Sequence, residues 1–308
     1  MSTLKRELKN QVKRFARGLF ELGQAVGIDI LPRHFYSEIP NIRELRKETQ
    51  WRKPLSLEGI RGDVASQIAF VQKCTDKFKD KICDFSIHRR AVDMNGSDGG
   101  YGEIEADFLY CFVRYLRPAT ILQVGCGVST AVCLLASRDE GYNPQIICIE
   151  PYPTFFLRNA HASGNVTLIE KKLQDLTLEC PKWIDKGDLF FVDSSHTLGP
   201  AGEVSQIILE ILPRLVPGAY VHFHDITFPY DYDSHVLSSA LFFQHETALL
   251  YAFLCMNERY SIAASLSLLH HLRRSELEKC FPHMRPAEFV DGIMSKEGHY
   301  ASAIYLRT

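Results

Sequence analysis

The 308-residue chain has no run approaching the roughly 18 apolar residues of a membrane span, so a transmembrane segment is not expected. Its opening residues, Met-Ser-Thr-Leu-Lys-Arg, lack the apolar core of a secretory leader. Among nine cysteines, an odd number, no two form a C-x-x-C pair. Cys111, Cys126, Cys133 and Cys148 lie inside apolar runs, where a thiol behaves as a small buried hydrophobe. A reducing, cytoplasmic setting is therefore expected. An excess of either charge is missing too: 35 Lys and Arg against 37 Asp and Glu leave a net charge of -2. Nothing in that balance argues for a nucleic-acid footprint spread over the whole surface.

What remains is a chain long enough for one large domain, or a domain with an appendage, and for a substantial core. Residues 1–100 read as a helical extension with irregular connections at 31–40 and 51–60. At its start Leu4, Leu8, Phe15, Leu19, Leu22 and Val26 share one stripe, with Lys5, Arg6, Lys9, Lys13, Arg14 and Arg17 around it. Such a helix packs on the protein body or a neighbouring subunit, or docks on an anionic membrane. Residues 64–78 read as a further helix. The run Asn95-Gly96-Ser97-Asp98-Gly99-Gly100 is the clearest break, and the domain boundary is placed there, between 1–100 and 101–308.

Beyond the break, helical and strand patterns alternate. Helices are expected over 104–116, 128–137, 154–162, 203–215 and 239–254. Strands are expected over 120–124, 145–149, 166–170, 188–192, 219–223, 261–264 and 301–306. The fold class is α/β: a Rossmann-like, doubly wound, mostly parallel sheet with right-handed crossovers and helices on both faces. Ligands of such sheets sit beyond the carboxyl ends of the strands. Gly125, Glu150, Asp193 and the pair His224-Asp225 all fall at strand ends and should meet in one crevice.

The first strand runs into Gly125-Cys126-Gly127-Val128-Ser129-Thr130, and the second ends in Glu150-Pro151. Glycines let a ligand approach the backbone, and a carboxylate about 20 residues on can accept hydrogen bonds from ribose hydroxyls. The third glycine of a pyrophosphate-binding turn is absent, which speaks against a nicotinamide dinucleotide. Gln174-Asp175 follows the third strand and is a candidate for the adenine amine, or a loop cap. The fourth strand ends Val192-Asp193-Ser194-Ser195-His196, and the fifth Val221-His222-Phe223-His224-Asp225. Strand alternation sends His222 and His224 to one face. Asp193, His196, His224 and Asp225 could bind a divalent cation, or a histidine could serve as general base. Phe242, Phe243, His245 and Glu246 follow in a helix near the crevice. The two phenylalanines read as core, and Glu246 has no assigned part.

Together these motifs, with Tyr101-Gly102-Glu103-Ile104-Glu105-Ala106 and Ile211-Leu212-Pro213-Arg214-Leu215, resemble class I S-adenosylmethionine-dependent methyltransferases. The likeness is nearest to a bacterial branch with Asp-x-x-His and His-Asp strand ends, and runs from about residue 100 onward. It implies S-adenosyl-L-methionine as cofactor, with Tyr101, Gln123, Gly125, Gly127, Ser129, Thr130, Glu150, Asp175, Asp193 and Ser194 around it. Gly125 and Gly127 would border the methionine part, Glu150 the ribose, and Asp193 the sulfonium. His196, His224 and Asp225 would serve catalysis. Asp193 and Asp225 match magnesium positions of sugar and macrolide O-methyltransferases, but His224 stands where those carry another acid. Gln123 replaces an acid that many relatives place before the turn.

The expected function is O-methylation of a small molecule or saccharide hydroxyl, with His196 or His224 as base and the N-terminal extension shaping the pocket or a homodimer interface. A non-catalytic cofactor-binding module and a nicotinamide-dependent oxidoreductase are the alternatives. A nucleic-acid methyltransferase is disfavoured, because no Asn/Asp-Pro-Pro-Tyr motif is present.

Overall fold

The computed structural model describes residues 3–97, 100–237 and 242–308, with side chains at the N-terminus from Glu7 onward. It divides into two compact units, Met1–Lys47 and Glu48–Thr308. The first holds helix α1 (Thr3–Ala25) and the short α2 (Ile42–Leu45), whose first turn is capped by the Asn41 side chain.

In the second unit, α3 (Val64–Thr75) starts at Asp63, whose carboxylate accepts from the Ser66 amide. Helices α4 (Ser86–Asn95) and α5 (Glu103–Leu116) follow, and α3 packs on α5. The α/β alternation is then β1 (Thr120–Val124), α6 (Val128–Glu140), β2 (Gln145–Ile149), α7 (Phe155–Ala162), β3 (Thr167–Ile169), β4 (Leu189–Val192), α8 (Glu203–Gln206) and β5 (Tyr220–Phe223). The remainder comprises α9 (Glu246–Leu254), β6 (Ser261–Ser265), α10 (Leu266–Leu272), α11 (Arg274–Cys280), β7 (Glu288–Val290), β8 (Ile293–Lys296) and β9 (Ile304–Arg307). Seven strands form one sheet in the order β3-β2-β1-β4-β5-β9-β6, while β7 and β8 make a separate hairpin. The first five sheet strands pair in parallel, and β9 runs antiparallel to both β5 and β6. A mostly parallel sheet with helices on both faces is thus the observed architecture, as expected.

Strand alternation divides the core in two. Ile121, Ile146, Cys148, Leu189, Phe191 and Tyr305 belong to the core shared with α3–α6. Their strand neighbours, including Leu122, Ile147, Phe190 and Leu306, pack in the core that holds Ile208 and Leu250. Burial on both faces explains why β1, β2 and β4 read as unbroken apolar runs.

Three sequence readings change. The break at 95–100, of which Asp98 and Gly99 lie outside the described residues, falls within the second compact unit: α4, before it, packs on α6, after it. The helix expected over 203–215 is α-helical only to Gln206. It continues as a π-turn over Ile207–Ile211 and a 3-10 turn over Leu212–Arg214. Pro213 has no N–H for the carbonyl of Leu209, which forbids a regular α-helical end. The helix expected over 239–254 starts at Glu246, its residues 239–241 lying outside the described set. The amides of His245 and Glu246 donate instead to the His196 carbonyl at 3.0 and 3.3 Å, pinning the helix start to the end of β4.

Candidate active site

The end of β1 turns sharply at Gly125, with φ +78°. A Cβ there would overlap the Asp193 carbonyl oxygen, because the Asp193 amide bonds to the Val124 carbonyl at 2.9 Å and holds the two strand ends together. Gly125 is therefore dictated by the sheet as well as by any ligand. At Gly127 a Cβ would meet only the Asn95 side chain, at 3.4 Å. Thr130, fully buried, accepts from the Gly127 amide at 3.3 Å and closes the first turn of α6. Gln123 is also fully buried: its Nε2 donates to Ser129 Oγ at 3.3 Å, and its Oε1 has no partner among the described residues.

Two cavities meet at this turn. One of about 520 Å³ is lined by Gly125, Glu150, Tyr152, Gln174, Asp193 and Ser194, among others. The other, about 290 Å³, takes in Asn95, Tyr101, Gly127, Ser129 and Thr154. Gly125, Glu150 and Asp193 line both. Of the ten expected cofactor residues, seven therefore face this cleft. Thr130 and Gln123 stand behind it, and Asp175 is exposed and lines neither cavity. Its neighbour Gln174 occupies the expected place, because the 3-10 turn Leu173–Asp175 rotates consecutive side chains apart. Glu150 accepts from the Tyr152 amide at 2.9 Å, which orients its carboxylate.

Beside Asp193 lies a charged cluster. His196 Nε2 is 3.4 Å from Asp193 Oδ1 and 3.6 Å from Asp225 Oδ2. His224 Nδ1 is 3.4 Å from Asp193 Oδ1 and 3.6 Å from Asp225 Oδ1. On its far side His196 Nδ1 meets Glu246 Oε2 at 2.7 Å, and Glu246 is 1% exposed. Ser302 Oγ donates to Asp225 at 2.8 Å, and the Ser302 amide to buried Glu105 at 2.8 Å. His196 and Asp225, just past the ends of β4 and β5, both adopt φ +56°, an unfavourable left-handed conformation for non-glycine residues.

Burial disfavours charge on the two imidazoles, but the carboxylates around them prevail. His196 is pushed up to about 10 by Asp193 and Glu246, and His224 to about 9 by Asp193 and Asp225. Asp193 is held well below the usual carboxylate range: desolvation opposes this, and the two histidines outweigh it. Burial raises Glu246 and Glu105. His222 sits apart, fully buried and stacked on Phe191 at 4.3 Å, and burial keeps it neutral.

A third cavity, of about 470 Å³, is lined by Glu105, His224, Asp225, Asp233, Glu297 and Tyr300, among others. His224, 3.4 Å from Asp193, stands between this cavity and the cleft at Gly125, and the Tyr101 ring lies 5.0 Å from that of His224. His196 lines none of the three cavities.

Asp193, His196 and His224 offer ligand atoms within 4.8 Å of one another. Magnesium takes an octahedral shell of oxygens, and half of this cluster's donors, counting Asp225, are imidazoles. The donor set does not fit the magnesium expected from Asp193 and Asp225.

Glu105, Glu246 and Asn95 carry parts of the site that sequence reasoning did not assign. The two glutamates left a readable trace, since each stands on a helix among apolar neighbours and a buried acid must be paired. Asn95, at the end of α4, left none.

Residues 122–226, from β1 to just past the end of β5, match the model of a family described as a methyltransferase domain. An uncharacterised protein of Archaeoglobus fulgidus is 26% identical over 163 residues, 50% of this chain and 72% of that protein. Among solved structures, the adenosylhomocysteine-bound methyltransferase PaMTH1 of Podospora anserina is similar over 91% of this chain and 98% of its own, at 16% identity and a TM-score of 0.40. A putative O-methyltransferase of Nostoc punctiforme is similar over 79% and 69% of the two chains, at 12% identity and a TM-score of 0.34. The glycine turn, the acid-tipped second strand and, but for the first two residues of β1, the parallel part of the sheet all fall within residues 122–226, the segment that is similar to a methyltransferase domain.

Proposed function

We propose that this domain transfers the methyl group of S-adenosyl-L-methionine to a hydroxyl of a small polar acceptor, such as a saccharide, held in the 470 Å³ cavity. One observation carries the reading. Asp193 lines the cofactor cleft, and its carboxylate lies 3.4 Å from His224, which lines the acceptor cavity. A sulfonium beside Asp193 and a hydroxyl beside His224 would be neighbours, and in-line alignment of oxygen, methyl and sulfur supplies much of the rate.

In the transfer, the sulfur–methyl bond breaks and the oxygen–methyl bond forms. The acceptor proton passes to His224, leaving adenosylhomocysteine and the methyl ether. The geometry favours His224 over His196 as base, because Glu246 holds Nδ1 of His196 and none of the three cavities reaches it. His196 is then a positioning residue that fixes Asp193 and Asp225. With a pKa near 9, His224 keeps its proton in the free enzyme at neutral pH. The cofactor's positive charge would compete for Asp193 and weaken that hold, freeing the imidazole as the substrates assemble.

The test is calorimetric titration of adenosylhomocysteine, followed by transfer of labelled methyl from S-adenosylmethionine to a panel of hydroxylated acceptors. Micromolar binding with turnover on a hydroxyl acceptor supports the reading. Binding without turnover across the panel favours the non-catalytic module, and absence of binding refutes the cofactor site.

A further inference from the structure

Among the described residues, the Met1–Lys47 unit buries no hydrophobic side chain, and the buried core begins at Ile68. Instead it exposes Leu8 (63%), Val12 (60%), Phe15 (74%), Leu19 (38%) and Leu22 (65%) on α1. At about 100° per residue these five positions fall on one stripe. Lys9, Lys13, Arg14 and Arg17 project elsewhere around the same helix. Past the turn after α1, Ile28, Ile30, Leu31, Phe35 (92%) and Tyr36 (71%) are exposed as well.

Charge is split between the units. Residues 1–47 carry ten Lys and Arg against five Asp and Glu, and residues 48–308 carry 25 against 32. A segment of this length without a core needs an external apolar phase to cover its stripe. Its chemistry also says which phase. The stripe is narrow, the rest of the helix is cationic, and the aromatic pair that follows is of the kind that settles at headgroup level. Pairing with α1 of a second copy would set two basic helices side by side, whereas an anionic bilayer neutralises them.

We infer that residues 7–36 dock this protein on an anionic lipid surface, α1 lying in the interface with its apolar stripe turned to the acyl chains. No described helix is long and apolar enough to cross a membrane, so attachment is peripheral and reversible. The acidic remainder is repelled by the same surface, which makes the basic segment the contact.

The experiment is flotation of the full chain with phosphatidylcholine vesicles, with and without about 30 mol% phosphatidylserine, at about 0.1 M and 0.5 M salt. Light scattering gives the mass in parallel. Binding is expected to be at least about tenfold stronger to the anionic vesicles and to be lost at high salt. It should also be lost in Phe15→Glu and in the triple variant K13E/R14E/R17E. Both variants should bind adenosylhomocysteine like the parent, showing that the second unit is intact. Equal partition to both vesicles, or no flotation, overturns the inference. A dimer that dissociates in Phe15→Glu, without vesicle binding, would assign the stripe to a second copy and overturn it too.

Discussion

Gly125 and Gly127 belong to one sequence motif, yet the structure gives them separable jobs, and alanine at each tells them apart. Gly125→Ala places a methyl at φ +78°, costing about 1 kcal/mol of backbone strain. The methyl also collides with the Asp193 carbonyl. That carbonyl cannot swing away, because β4 is tied to β1 from Leu189 to Asp193. Overpacking against a fixed backbone adds about 1–3 kcal/mol, so the total is about 2–4 kcal/mol. At roughly 2–3 °C per kcal/mol for a domain of this size, the midpoint should fall by about 4–12 °C. Gly127→Ala meets only the Asn95 side chain at 3.4 Å and should cost less than about 1 kcal/mol. Its methyl enters the 290 Å³ cavity, so adenosylhomocysteine affinity should fall at least about tenfold. Scanning calorimetry and isothermal titration on both variants decide the matter. Equal midpoint losses, or a Gly127→Ala variant that binds like the parent, would refute this division of labour.

His224→Ala should keep adenosylhomocysteine affinity within a few-fold and lower turnover by about 10²–10⁴, the usual worth of a general base; unchanged kcat removes His224 from the reaction. Because the neutral imidazole is the working form, kcat/KM should rise with pH and level off above about 9, and kcat should level off at lower pH, where the sulfonium has loosened the proton. Stability should run the other way. His196 and His224 have folded pKa values above the unfolded 6.5, so their contribution is complete below pH 6.5 and is lost as pH rises through about 9 to 10. Calorimetry from pH 6 to 10 would show the midpoint falling, and a flat profile would contradict the protonated cluster. Glu246→Gln keeps an acceptor for His196 Nδ1 but removes its charge, and should cost about 1–3 kcal/mol and move the His196 titration below 10; an unmoved titration would mean Glu246 does not hold that proton.

The sheet was legible because its strands are buried on both faces and punctuated by glycine, proline or acid at their ends. Thr120–Val124 and Gln145–Ile149 match the expected ranges at both ends. Elements whose form depends on a distant partner were not. The start of α9 is set by bonds to the His196 carbonyl, about 50 residues earlier, and no local pattern encodes that. The β7–β8 hairpin, α10 and α11 were missed between two candidate strands, and with them the Glu297 wall of the 470 Å³ cavity. At the site, motif residues fell where strand ends converge, whereas Asp175 pointed elsewhere because a single 3-10 turn reassigns neighbours. The charge state of the histidines was out of reach, since it depends on Glu246 and Asp225 arriving from separate elements.

The position of β9 bears on how the protein is made. Strand β9, Ile304–Arg307, lies between β5 and β6 although α10, α11 and the β7–β8 hairpin separate it from β6 in sequence, and among the described residues β6 pairs with nothing else in the sheet. During synthesis, one edge of β5 and the whole of β6 must wait until β9 leaves the ribosome. Until β9 emerges, the nascent protein carries an open strand edge, the kind of surface that chaperones cover and aggregates exploit.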